Sequence, residues 1–313
     1  STRKESSAAS DVYKRQTLSN SAMSIITLID SKIVLGRLET ISSLLTETPT
    51  ALYGQYTFGM DLINLPPSFV YPVTMSLIPF AAAAMARKDS AGANRIISSA
   101  FRLIAILAIP AGVGLSVLSG PILLMLYPAQ QDAAIAAGPH LQVLGIACIF
   151  ICLMTLTNAI LQSCGHERIP ICTMIAGGVV KIVMNYVLVG NPDINIHGAP
   201  ISTLCCYLVI SGLNLFFVWK YSPEKPHYLQ LFTKPVIASV LMGGAAWAVY
   251  GFVDRALSGG HSAYSANALA TLVGIGAGVV VYFILVIALR ILRAEDLKSV
   301  PYGARIIKLL HLK

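Results

Sequence analysis

Eight long apolar stretches fill this chain, at about 17–37, 55–86, 96–127, 139–163, 168–190, 196–219, 234–253 and 264–289, and Lys and Arg gather in every second gap between them. One set of gaps holds Arg87, Lys88, Arg95 and Arg102, then Arg168, then Lys220, Lys225 and Lys234. The tail adds Arg290, Arg293, Lys298, Arg305, Lys308 and Lys313, whereas the opposite gaps hold only Arg37 and Arg255. A bilayer core about 30 Å thick needs about 20 apolar residues per helix, so each stretch is long enough to cross. Basic residues stay cytoplasmic during insertion, so fourteen against two predicts an orientation as well as a class. The chain reads as an all-α polytopic membrane protein with eight transmembrane helices. Residue 17 and the C-terminus are expected on the cytoplasmic side.

Composition agrees. Charged residues make up 12% of the 313 residues, against roughly 25% in soluble domains, and mean hydropathy is +0.72. Eight helices with short connections consume nearly the whole length, which leaves no room for a large soluble domain. The net charge of +8 sits in membrane-flanking loops, where it matches lipid headgroups rather than nucleic acid. Cys148, Cys152, Cys164, Cys172, Cys205 and Cys206 lie in or beside the spans without a repeating zinc spacing, and are read as reduced packing residues.

Residues 1–16, STRKESSAASDVYKRQ, are polar and lack the apolar core of a signal peptide. They are expected to be a non-native, disordered leader, with the native chain starting inside a longer protein. Residues 17–220 then form a six-helix lobe. Residues 221–313 supply a linker, a terminal helix pair and a basic cytoplasmic tail. Pro66, Pro67, Pro72 and Pro79 predict that the second stretch is broken or strongly bent, because each interior proline removes a helix hydrogen bond. Pro110 and Gly120-Pro121 predict a kinked third helix followed by a short interfacial one. Gly177-Gly178, Ser211-Gly212, Gly243-Gly244 and the Gly274-x-Gly276-x-Gly278 run are expected to let helices approach closely.

The informative residues are polar ones inside the spans, since a charge in hydrocarbon normally faces a cavity or a partner. Asp30, Lys32, Asp61 and Lys181 are ionisable, and Asn64, Asn158, Gln162, Asn185 and Asn214 are amides, a type that more often glues helices than binds substrate. The first eight are the candidate cavity-lining set. Lys181 and Asn185 share a helix face at i, i+4, as do Asn158 and Gln162. Lys32 either faces the cavity or snorkels to the outer interface. Lys181 either faces the cavity or pairs with a carboxylate such as Asp30 on a neighbouring helix. The histidines all fall in gaps, at span ends or in the tail. No nucleotide-binding glycine loop, His-Glu-x-x-His or Gly-x-Ser-x-Gly is present, so no enzyme site is read. No cofactor is implied, and a coupling ion, H+ or Na+, stays unassigned.

Several separated motifs resemble one family. The run from Leu52 to Pro79, Leu-Tyr-Gly-Gln-Tyr-Thr-Phe-Gly-Met-Asp-Leu-Ile-Asn-Leu-Pro-Pro onward, resembles the seventh-to-eighth helix region of stage V sporulation protein B-like polysaccharide transporters. Met23–Leu38, Thr157–Gln162 with Arg168-Ile-Pro170, Gly177–Lys181 with Asn185–Val189, and Asn195–Thr203 extend the likeness to most of the chain. The resemblance implies the multidrug/oligosaccharidyl-lipid/polysaccharide exporter superfamily, which includes the MurJ-like lipid II flippases. It implies a fold of fourteen helices, of which this chain would hold the second six-helix lobe and the extra pair. The partners it implies are the lipid bilayer, a lipid-linked saccharide and the N-terminal lobe of the same polypeptide. In MurJ-type flippases an Ala-Asp-Arg-x-x-Gln-Leu-Pro pattern places a cavity arginine; here Gly59–Pro66 puts Asp61 at that position and Asn64 at the glutamine. The expected function is therefore flipping of a lipid-linked cell-wall, spore-cortex or other polysaccharide precursor by alternating access. A cation-coupled drug exporter with Asp30 as coupling carboxylate is the alternative. A membrane-embedded polysaccharide polymerase is disfavoured by the short outer loop near 38–54.

Overall fold

The computed structural model describes residues 28–222, 225–257 and 262–291, and every regular element among them is helical. In chain order these are α1 (28–40), α2 (Pro49–Ile63), α3 (Leu65–Ala86), α4 (Ser90–Val117), α5 (Ser119–Leu126), α6 (Gln131–Ser163), α7 (Arg168–Leu188), α8 (Gly198–Tyr221), α9 (Tyr228–Leu257) and α10 (Ala263–Ala288). Among the described residues seven helical stretches are long and apolar enough to cross a membrane, with α2 and α3 together forming one of them. The expected first span, 17–37, lies only partly within the described residues, where α1 supplies its second half and continues past it. Residues 1–16, read as a leader, and the basic tail beyond Ile291 lie outside the described residues.

Helix starts follow local chemistry. Thr48 caps α2 by accepting from the Ala51 amide, Asp89 caps α4 from Gly92, and Ser262 caps α10 from Ser265. Each satisfies an amide that has no partner within its own helix. The prolines break the ladder as expected, and the structure shows where the freed carbonyls go. Pro67 cannot donate to Ile63, so the Ile63 carbonyl instead accepts from the Cys148 thiol of α6 at 3.4 Å. Pro110 likewise leaves the Ile106 carbonyl open, and the Tyr282 hydroxyl of α10 donates to it at 2.8 Å. In hydrocarbon no water can do this work, so a neighbouring helix must. Asn64 is the break between α2 and α3, and Leu118, just ahead of Gly120-Pro121, separates α4 from short α5.

The longest helix, α6, is the centre of the bundle and packs on α2, α3, α4, α5 and α8. It begins eight residues before the expected start at 139, because Pro139 is accommodated inside it. Similarly α9 begins at Tyr228 with Pro235 in its interior, which shortens the expected 220–234 connection. A close backbone approach joins α4 to α6: a Cβ on Gly145 would sit 2.7 Å from the Ser116 nitrogen and 2.8 Å from the Gly112 carbonyl oxygen. At Gly177 a Cβ would strike Ile210 of α8. By contrast Gly212, Gly244 and Gly276 face open space, so only part of the small-residue stretches serves packing. Helices α9 and α10 pack on each other, and α9 docks on α4 through Tyr228 and Phe232, whose rings stand edge-on to Phe101.

Candidate functional site

Three helices bring a charged network into the bundle. On α7, Lys181 and Asn185 are one turn apart and both buried. Opposite them α1 presents Asp30, which is 5% exposed. The Lys181 ammonium lies 2.8 Å from Asp30 Oδ2, and Asn185 Nδ2 donates to Asp30 Oδ1. From α8 the Ser202 hydroxyl donates to Asn185 Oδ1. The carboxylate thus takes an ammonium and an amide on separate oxygens, while the amide spends its own oxygen on a hydroxyl. A buried ion pair tolerates loss of hydration only with such additional hydrogen bonds. Next to Ser202, Thr203 meets the buried Tyr56 hydroxyl of α2 at 2.9 Å. Farther along α1, Arg37 donates to the Tyr186 carbonyl at 3.1 Å and lies over the Tyr186 ring, so α1 is tied to α7 at two levels.

A second, neutral network joins α6, α7 and α8. Asn214 donates to Asn158 Oδ1 at 2.7 Å and to Thr157 at 3.2 Å, and accepts from Thr173 at 2.7 Å. Asn214 and Thr157 are fully buried. This is helix glue: each polar group on one helix satisfies one on the next.

Of the eight candidates, the structure therefore brings together Asp30, Lys181 and Asn185, and places Asn158 with Asn214. Lys32, Asp61, Asn64 and Gln162 are exposed, apart from one another's networks. Asn64 turns back to the Met60 carbonyl at 2.9 Å. Sequence reasoning missed Ser202, Thr203 and Tyr56 as partners. Their signal was faint, two hydroxyls in an apolar run and one tyrosine among several. It also placed His140 at a span end, whereas α6 carries His140 into the interior at 1% exposure, with Nε2 3.1 Å from His197 Nδ1. The error follows from taking Pro139 as a helix boundary. Among the described residues no group of three or more His, Cys, Asp or Glu side chains is arranged to hold a metal ion.

The fold and these networks define a polytopic helical bundle, with seven helical stretches among the described residues long and apolar enough to cross a membrane. Its fold matches a transporter of the multidrug/oligosaccharidyl-lipid/polysaccharide superfamily from Pyrococcus furiosus, whose binding pocket is described as having reverse polarity, with a TM-score of 0.52 and 17% identity over 93% of this chain and 66% of that one. It also matches a multidrug exporter crystallised in a bent conformation, with a TM-score of 0.52 and 15% identity over 90% and 66%. At such identities the likeness concerns the fold alone. Within this class the chain belongs to the lipid II flippase MurJ family, whose family model matches residues 39–266. Relatives in Bacillus subtilis include the uncharacterized membrane protein YabM, 29% identical over 267 residues, 85% of this chain and 48% of YabM. Stage V sporulation protein B is 22% identical over 277 residues, 88% of this chain and 51% of that protein. The chain spans about half the length of these curated relatives.

Proposed function

We propose that this chain forms the second lobe and terminal helix pair of a flippase that carries a lipid-linked saccharide across the bacterial cytoplasmic membrane. Membership of the MurJ family supports the class. The observation that carries the reading is the Asp30–Lys181–Asn185 network, a charge pair buried between α1 and the membrane-length helix α7. Ionisable residues are kept at such depth for function by default, because hydrocarbon penalises them. In this reading residues 17–220 are the lobe, 221–313 add the linker, helix pair and cytoplasmic tail, and a further six-helix lobe completes the cavity. Rocking of one lobe against the other moves the saccharide and its diphosphate through polar surroundings while the polyprenyl tail stays in lipid. Asp61, Asn64 and Gln162, exposed on the isolated lobe, face that cavity, while the mutually neutralised Asp30–Lys181 pair holds α1 against α7 at its wall.

The rival reading, cation-coupled drug export, needs Asp30 free to take a proton or sodium ion. Lys181 at 2.8 Å already neutralises that carboxylate, which favours the flippase reading. The test is complementation of a flippase-deficient strain by the full-length protein. Lys181→Ala is expected to abolish rescue at normal membrane expression. Undiminished rescue would remove Lys181 from the mechanism.

A further inference from the structure

A cavity of about 780 Å³ opens where the first turns of α4 and α9 meet the last turn of α10. Arg95 and Arg102 of α4, Lys225 and His227 just ahead of α9, Lys234 of α9 and Arg290 after α10 all line it. No carboxylate lines it among the described residues. Retention of basic residues on one side of a membrane explains their presence at this end. It does not explain why segments distant in sequence turn Arg95, Lys225, Lys234 and Arg290 into one concave space.

The cations are positioned, not merely present. Arg290 adopts φ 47, a left-handed conformation that a non-glycine residue takes at a cost. There its amide closes the end of α10 on the Ile287 carbonyl, and Ile291 closes on Val286. Lys234 donates to the Leu289 carbonyl at 2.9 Å, which covers the negative end of α10 beside the cavity. Lys225 sits 4.1 Å from the Trp219 ring centre, and tryptophan is a residue of the headgroup level. Ser98, Gln230 and Thr233 add hydrogen-bonding groups, and Leu229, 85% exposed, stands on the rim as an apolar contact.

We propose that this cavity binds the phosphodiester headgroup of an anionic phospholipid from the adjoining leaflet. The phosphate lies between Arg95 and Arg290, and the acyl chains pass out over the apolar rim. The volume exceeds what one inorganic phosphate fills and suits a glycerophosphate headgroup. Because α4 belongs to the lobe and α9 and α10 to the terminal pair, the bound lipid pins the pair to the lobe. Basic pockets between transmembrane helices are suited to such headgroups, with about 1 kcal/mol for each Lys or Arg near the surface.

The test uses purified, delipidated protein in neutral detergent, with retention of added phosphatidylglycerol read by native mass spectrometry. Phosphatidylcholine and inorganic phosphate serve as the comparison probes. Phosphatidylglycerol is expected to be retained over phosphatidylcholine, and Arg95→Glu/Arg290→Glu, a change of four charges, to weaken retention by more than about 100-fold. Lys88→Glu, at the same end but outside the cavity, and Arg255→Glu, at the other end of α9, are expected to leave it unchanged. If the charge reversal prevents folding, Arg95→Gln/Arg290→Gln keeps the shapes and is expected to lower retention at least tenfold. Equal retention of the two lipids would overturn the proposal, as would full competition by inorganic phosphate at equal concentration, or unchanged retention in the Gln variant.

Discussion

Breaking the Asp30–Lys181 pair from one side and then from both gives the sharpest test of how this bundle handles charge. Lys181→Met keeps the stem of the side chain and removes the ammonium, leaving Asp30 with the Asn185 amide. Stranding one member of a buried pair costs about 3–5 kcal/mol. The remaining charge-assisted hydrogen bond, worth about 1.5 kcal/mol or more, puts this variant near the lower bound, about 3 kcal/mol. Asp30→Asn strands the ammonium instead, without its carboxylate, and is expected nearer about 4 kcal/mol. The double variant Asp30→Asn/Lys181→Met buries no net charge, and replacing a whole buried pair by neutral groups is often close to neutral, so it should cost less than about 2 kcal/mol. The two single costs therefore exceed the double cost by about 5 kcal/mol, far outside the few tenths expected of independent sites. Equilibrium unfolding of the purified protein, followed by tryptophan fluorescence, measures the cycle. Single costs below about 1 kcal/mol, or a double cost equal to their sum, would show that the two side chains are hydrated and uncoupled, and would refute the reasoning.

Two other substitutions probe the packing. Gly145→Leu inserts a side chain where α4 backbone atoms lie within 3 Å of the position of a Cβ; overpacking of this kind costs about 1–3 kcal/mol and should lower the unfolding midpoint, whereas Gly244→Leu, in open space, should not. Tyr282→Phe removes the donor that satisfies the Ile106 carbonyl freed by Pro110; it is expected to cost about 1–3 kcal/mol, and adding Pro110→Ala, which restores a backbone donor, should recover most of the loss in the same unfolding assay.

Much of the architecture was legible because the bilayer simplifies the problem. Apolar length counts the crossings, and prolines mark the breaks at Asn64 and near Leu118. Boundaries were less legible where proline sits inside a helix that neighbours stabilise, as at Pro139 in α6 and Pro235 in α9. The pairing of Lys181 with Asp30 was one of two readings open from the chain, because i, i+4 spacing shows which residues share a face but not what that face meets. The partners Ser202 and Tyr56 were hidden for the same reason. Their hydroxyls carry no periodic signal, and only the docking of α1, α7, α8 and α2 gives them a role. Likewise Gly112 and Gly145 look unremarkable as isolated glycines, yet they let α4 and α6 approach backbone to backbone, while a Cβ on the conspicuous Gly276 would meet nothing within 4 Å.

The central claim, that this lobe serves a lipid-linked saccharide flippase, is tested most directly by translocation in proteoliposomes. The full-length protein is reconstituted with a fluorescent saccharide carried on undecaprenyl diphosphate, and a membrane-impermeant quencher reports the fraction still protected inside. The account predicts that quencher access to inner-leaflet substrate rises with protein, and that Lys181→Met abolishes the rise while the protein remains inserted. Protection equal to that of protein-free vesicles, with transport of small organic cations driven by an imposed proton or sodium gradient, would contradict it.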